Sequence, residues 1–193
     1  MNIELLHIAI YSYILGSIPF GFVLTKIFLK KDIRKIGSGN IGATNVLRTG
    51  KKSLGIGTLI LDALKAYLSV LITLSTFPDY IYFSALLCFL GHIYPIWLKF
   101  NGGKGIAVYI GILFAFSIYL ALLFIIIWIL VLYLSKYSSL SSLVSTLIIF
   151  LYSITLNNSN MSLFFFIIFI IIVFTHKENI FRLKNKSESK TEL

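Results

Sequence analysis

The chain has 193 residues, of which 58% are hydrophobic, 16% aromatic and only 12% charged, and its mean hydropathy is +0.94. A soluble fold of this length could not hide so much apolar surface, and the same composition excludes a disordered or collagen-like chain. Lys and Arg number 17 against 7 Asp and Glu, a net charge of +10; in so apolar a chain the excess marks cytoplasmic loops that meet anionic lipid headgroups, and no nucleic-acid partner is expected.

The apolar residues come in long blocks, which favours membrane helices over an outer-membrane barrel. The first block, 5–24, is interrupted by Gly16, Ser17 and Pro19. It lacks a basic segment ahead of it and reads as a retained span. Residues 26–52 form a polar loop with eight basic residues and one acid, Asp32, so this loop is placed inside and the N-terminus outside. Spans follow at 54–77 and 80–98, separated by the turn Phe77-Pro78-Asp79. Lys99 and Lys104 bring the chain back to a basic, inner loop. The block 106–135 has 30 residues, about 45 Å as one helix and well beyond the hydrocarbon core; a single tilted helix is the alternative. Two short spans broken near Phe116-Ser117-Ile118-Tyr119 put Lys136 and the basic tail inside. Spans at 143–156 and 161–175 complete the count. The expected fold is an all-α polytopic membrane bundle of seven transmembrane helices, N-terminus out and C-terminus in. It comprises one domain over 1–183, followed by a disordered basic cytoplasmic tail over 184–193. Cys88 is the sole cysteine, so no intramolecular disulfide can form.

Polar residues gather in three clusters on the inner side. In the first, Gly37 to Asn45 followed by Arg48, glycines allow close backbone approach. Ser38, Asn40, Thr44 and Asn45 offer hydrogen-bonding side chains, and Arg48 offers a planar fork suited to phosphate. A helix starting near residue 43 would add a positive end beside Thr44 and Asn45; an ordinary flexible loop is the plain alternative. The second cluster runs from Gly91-His92 to Asn101-Gly102-Gly103-Lys104-Gly105. It is a plausible phosphate cradle but not a nucleotide loop, because Leu98 and Gly105 break the G-x-x-x-x-G-K-[ST] spacing. His92 reads equally well as a packing or capping residue. The third, Thr175-His176-Lys177-Glu178-Asn179, puts His176 and Asn179 on one helix face, though a basic stop-transfer tail would look similar. Ser139, Ser141 and Ser142 either line a site or start a helix. Asp62 and Lys65, three apart within a span, read as a structural bridge bordering the site. Three distant histidines and one cysteine make no metal set, and no cofactor is expected. Basic residues and helix breaks at one membrane face would also suit a transporter for an anionic metabolite, but the nearly uncharged outer turns argue against an exit path.

In order, the motifs Gly16-Ser17-Ile18-Pro19-Phe20-Gly21, Asp32-Ile33-Arg34, Gly37 to Arg48, Leu61-Asp62-Ala63-Leu64-Lys65, Gly91-His92-Ile93-Tyr94-Pro95, Gly102-Gly103-Lys104-Gly105 and His176-Lys177-Glu178-Asn179-Ile180 resemble one family. It is that of the bacterial acyl-phosphate:glycerol-3-phosphate acyltransferases, the PlsY family. The resemblance covers residues 16 to about 183. Asn101 stands where a lysine is common and Val108 where a small polar residue is common. The H-x4-D signature of the large glycerolipid acyltransferases is missing, since Ser12, Trp97 and Phe181 follow the histidines at that spacing. The resemblance implies a multi-pass bacterial inner-membrane enzyme with its active site facing the cytoplasm. It implies transfer of an acyl group from acyl phosphate to the 1-hydroxyl of sn-glycerol 3-phosphate, giving lysophosphatidic acid and phosphate. Contact with enzymes that make acyl phosphate and that perform later acylations is a further expectation. Catalytic roles are expected for Ser38, Arg48, Lys104, His176 and Asn179. Substrate binding is expected for Asn40, Thr44, Asn45, His92, Gly102, Gly103, Gly105, Ser139 and Ser142, with the Gly102 and Gly103 backbone reaching phosphate.

Overall fold

The structure, a computed structural model, describes residues 3–191. Its regular elements are α1 (Ile3–Ser17), α2 (Phe20–Leu29), α3 (Ala43–Leu47), α4 (Lys52–Thr76), α5 (Ile81–Ile93), α6 (Ile106–Phe116), α7 (Ile118–Ser135), α8 (Ser138–Thr155), α9 (Ser159–Thr175) and α10 (Lys177–Lys184), with single 3-10 turns between some of them. Among the described residues, five stretches are long and apolar enough to cross a bilayer: Ile3–Leu29, Lys52–Thr76, Pro78–Leu98, Ile118–Ser135 and Ser138–Thr155. A sixth is obtained when α9 and α10, bent by 61° at their junction, are taken together. The long apolar block 106–135 is two helices divided at Ser117, whose backbone is extended (φ −168°, ψ 129°). One extended residue suffices to end the helical hydrogen-bond pattern, so neither proline nor glycine marks the break.

The chain divides into two compact units, Met1–Phe116 and Ser117–Leu193. In the first, small residues let helices touch backbone to backbone, as expected where lipid removes the hydrophobic drive for helix association. A Cβ on Gly16 would strike the Cys88 backbone, one on Gly91 the Tyr13 carbonyl, and one on Gly111 the Ala63 backbone. These contacts seat α1 on α5 and α4 on α6. Hydroxyls supply the polar links: Ser84 bonds Ser12 at 2.9 Å and Ser69 at 3.2 Å, all three buried. Below this, a cluster of Ile33, Ile41, Val46 and Leu98 packs the polar loop onto the turn that precedes the second glycine cluster.

In the second unit α8 lies between α7 and α9. Its buried face is hydroxylic: Ser141, Ser145 and Thr146 each donate to the carbonyl four residues back. That satisfies the hydroxyls inside their own helix and keeps the packing surface narrow. The opposite side of this unit is apolar and outward, with Tyr119, Ile126, Tyr133 and Leu134 exposed as lipid-facing residues would be. Residues 185–191 carry no regular helix, yet Thr191 N–H donates to the Lys136 carbonyl at 2.8 Å. Glu188 is held by side chains described below. The last two residues of the expected tail, 192 and 193, lie outside the described residues.

Candidate functional site

The first cluster is a loop folded around one amide. Asn45 is 2% exposed. Its Oδ1 accepts from Ser38 N–H at 3.0 Å, and its Nδ2 reaches the carbonyls of Ile33, Ile36 and Asn40 at 3.2, 2.9 and 2.8 Å. Asn40 braces the same loop by accepting from Gly42 N–H at 2.8 Å. Gly37 and Gly39 take left-handed backbone angles (φ +54° and +72°). A Cβ on Gly37 would run into Asn45 Oδ1 and meet the Arg48 side chain at 3.0 Å. The bare backbone at Gly37 therefore lets the Arg48 arm lie against it. Ser38, Thr44 and Arg48 are exposed. The helix expected from residue 43 is a single turn ending at Leu47, so the helix-end contribution to anion binding is slight.

Asp32 and Arg34 anchor the start of this loop. Arg34 donates through Nε at 3.0 Å and Nη2 at 2.7 Å, and its backbone N–H is capped by Asp32 Oδ1 at 3.0 Å. The Arg34 hydrogen bond holds the Asp32 carboxyl down at about 2, and the same pairing raises the Arg34 guanidinium further. Both side chains are partly solvated, so the pair adds little stability.

The second cluster departs from the expectation in a specific way. The N–H groups of Gly102 and Gly103, expected to face phosphate, instead donate to the carbonyls of Ile93 and His92 at 2.9 and 3.0 Å. These glycines are there for space: a Cβ on Gly102 would strike the His92 carbonyl, and one on Gly103 the His92 ring. Gly105 has φ +88°, and a Cβ there would enter the Phe89 ring. The loop is thus stapled to the end of α5, and Lys104 is carried between two fixed glycines. His92 is 3% exposed, with Nδ1 3.1 Å from Lys65 Nζ. Leu98, packed against Ile33, Ile41 and Val46, ties this segment to the loop of Ser38 and Arg48.

The third cluster lies in the second unit. His176 is 3% exposed, and its Nδ1 lies 2.9 Å from the Ile172 carbonyl. A carbonyl can only accept, so Nδ1 carries a proton. Asn179 Nδ2 donates to Glu188 Oε1 at 2.6 Å, Ser139 Oγ donates to the same oxygen at 2.8 Å, and Arg182 Nε donates to Oε2 at 2.6 Å. Partial burial pushes the Glu188 carboxyl up, but the three hydrogen bonds together bring it below its usual value. Arg182 reaches Glu178, its partner at i, i+4, only at 3.9 Å. Ser142 donates to the Ser138 carbonyl at 2.9 Å and accepts from Trp128 Nε1 at 3.1 Å. Glu188 and Trp128 are the groups sequence reasoning missed; no spacing rule links a tail carboxylate to Ser139, 49 residues earlier.

The family model for glycerol-3-phosphate acyltransferase matches residues 6–186. A glycerol-3-phosphate acyltransferase of Pelagibacter ubique (strain HTCC1062) is 60% identical over 190 residues, covering 98% of this chain and 99% of the relative. One of Bradyrhizobium diazoefficiens is 46% identical over 182 residues, covering 94% and 92%. Among solved structures, PlsY, described as an integral membrane glycerol 3-phosphate acyltransferase, matches in its glycerol 3-phosphate form. Its TM-score is 0.93 at 36% identity, covering 98% of this chain and 96% of that one. Its lysophosphatidic acid form matches with a TM-score of 0.90. Matched along nearly its whole length, the chain belongs to the glycerol-3-phosphate acyltransferase family.

Proposed function

We propose that the protein transfers a fatty acyl group from acyl phosphate to the 1-hydroxyl of sn-glycerol 3-phosphate in the bacterial inner membrane, releasing lysophosphatidic acid and phosphate as the first acylation step of phospholipid synthesis. One observation carries this reading: 98% of the chain superposes on an enzyme described in a glycerol 3-phosphate form, and 97% on its lysophosphatidic acid form. The proposal includes seven spans, with α6 and α7 each crossing, the N-terminus out, and the basic loops and C-terminus in. At 11 residues α6 is about 17 Å long, so local thinning of the bilayer accompanies that crossing. Residues 1–183 are taken as one catalytic domain.

Acyl phosphate is an activated mixed anhydride, so the transfer needs no metal, cofactor or enzyme nucleophile. The 1-hydroxyl oxygen attacks the acyl carbon. The new C–O bond forms as the bond to the phosphate oxygen breaks, the phosphate leaves with the electron pair, and the hydroxyl proton passes to a base. In this reading Arg48 and Lys104 neutralise phosphate and stabilise the developing oxyanion. Ser38, Asn40 and Thr44 position the phosphate, and Asn45 and Gly105 keep the loops in shape. His176 and Asn179 orient the glycerol phosphate or its attacking hydroxyl, with Ser139 and Ser142 supporting them. The base is His176 Nε2 or an oxygen of the substrate phosphate. Docking with enzymes that make the donor or use the product belongs to the same reading. Incubation with radiolabelled acyl phosphate in the absence of glycerol 3-phosphate tests the step: no label stays on the protein after denaturation, whereas an acyl-serine would overturn direct attack.

A further inference from the structure

Inside the first unit a buried charge network runs from the middle of α4 to the second glycine loop. Asp62 and Lys65 side chains are each 2% exposed, and Lys65 Nζ lies 2.7 Å from Asp62 Oδ1. That contact is off the hydrogen-bonding direction, so Asp62 acts as a counter-charge. The aligned donors of the ammonium go elsewhere: one to the Ile18 carbonyl at 2.6 Å, at the break between α1 and α2, and one to His92 Nδ1 at 3.1 Å. An ammonium has no lone pair, so Nδ1 accepts and the His92 proton sits on Nε2. The same Nε2 edge faces Gly103: a Cβ there would meet Nε2 first, then Cε1 at 2.8 Å and Cδ2 at 3.0 Å. The His92 and Ile93 carbonyls meanwhile hold the Gly103 and Gly102 N–H groups. The loop therefore rests on His92 through both its backbone and its ring, and the ring is set by Lys65.

We propose that Asp62 and Lys65 are positioning residues for glycerol 3-phosphate: by fixing the tautomer and tilt of His92 they set the height of the Gly102–Gly105 loop and hence the place of Lys104. A bridge that served stability alone would be matched by an apolar pair of similar volume, since a buried ion pair recovers little more than its desolvation. This one ends on the residue beside the loop cation. The proposal rests on the reading that this loop holds a substrate phosphate.

The test compares the full-length protein with the double variant Asp62→Leu/Lys65→Met, in which both buried charges are removed together, and with Ser84→Ala, which loses hydroxyl contacts of the same unit away from the loop. The double variant is expected to raise KM for glycerol 3-phosphate about tenfold with kcat and the acyl phosphate KM within about threefold. Ser84→Ala lowers the unfolding temperature and leaves all three unchanged. A folded double variant with wild-type KM overturns the proposal. Should the double variant not fold, nitrogen NMR of His92 in the wild type decides: an Nε2–H imidazole supports the network, and an Nδ1–H imidazole overturns it. A wild type inactive with acyl phosphate and glycerol 3-phosphate would overturn the functional reading as well; an active one with an unmoved variant sinks this inference alone.

Discussion

Asn45 separates two accounts of the first loop. If its amide is a phosphate ligand, Asn45→Ala removes one contact to substrate and leaves the loop intact. The geometry says otherwise: one side chain satisfies the Ser38 N–H and three carbonyls, those of Ile33, Ile36 and Asn40. Two amide hydrogens serve three acceptors, so truncation strands the Ser38 N–H and about two carbonyl bonds. Each buried group left unmade costs about 1–3 kcal/mol, and water reaches some of them in a loop whose Ser38, Thr44 and Arg48 are exposed. A local loss of about 2–4 kcal/mol follows. Asn45→Asp keeps the acceptor for Ser38 but sets a carboxylate against three carbonyls, so it should do at least as much damage. Hydrogen exchange read by mass spectrometry is the assay: residues 33–47 should lose about 30- to 1,000-fold of their protection in Asn45→Ala, while α4 and α5 keep theirs. Activity falls with both substrates, because Ser38 and Arg48 lose their shared platform. Wild-type exchange across 33–47, with only the glycerol 3-phosphate KM raised, would refute the reasoning.

Other expectations follow from the same contacts. Gly103→Ala should push the loop off the His92 ring by about 1.4–1.9 Å, given ordinary contacts of about 3.5–4.0 Å, and raise the glycerol 3-phosphate KM at least tenfold in steady-state assays. Arg48→Ala and Lys104→Ala should each cut kcat/KM by about 10²-fold or more; unchanged activity in either would remove that residue from the site. Glu188→Gln weakens the bonds to Ser139, Asn179 and Arg182, so limited proteolysis should release the tail more readily. Because the Glu188 carboxyl is held below its usual 4.5, its contribution is present above pH 4.5 and is lost as pH falls through its lower folded value. Tail protection in the wild type that persists unchanged to the lowest pH at which the fold survives would contradict this. Asp32 behaves alike, holding its pair with Arg34 above pH 3.8 and losing it as pH falls to about 2.

Apolar block lengths and the distribution of basic residues made the helices legible, because lipid forces backbone groups to bond within each segment. The break at Ser117 was visible through length and charge parity together: 30 apolar residues exceed the hydrocarbon core, and two short spans put Lys136 and the basic tail on the same side as the other basic loops. The glycine loops were visible because Gly37, Gly39 and Gly105 need left-handed angles and Gly103 needs space. Which way a polar group points was not legible. Asn45 turned inward and the Gly102 and Gly103 N–H groups turned to α5 because carbonyls at chain breaks needed partners, and composition does not say which carbonyls those are. The bridge of Asp62 and Lys65 was legible as a pair at helical spacing, but its third member, His92, comes from another helix. Glu188 was hidden for a related reason: its partners come from α8 and α10, and a charged tail gives no periodicity to read.

The central claim is that this chain passes an acyl group directly from acyl phosphate to glycerol 3-phosphate. Purified full-length protein should, on mixing with both, form lysophosphatidic acid and inorganic phosphate one for one and give no product when acyl-CoA replaces acyl phosphate. Product formed from acyl-CoA at a comparable rate, or phosphate released without lysophosphatidic acid, would contradict it.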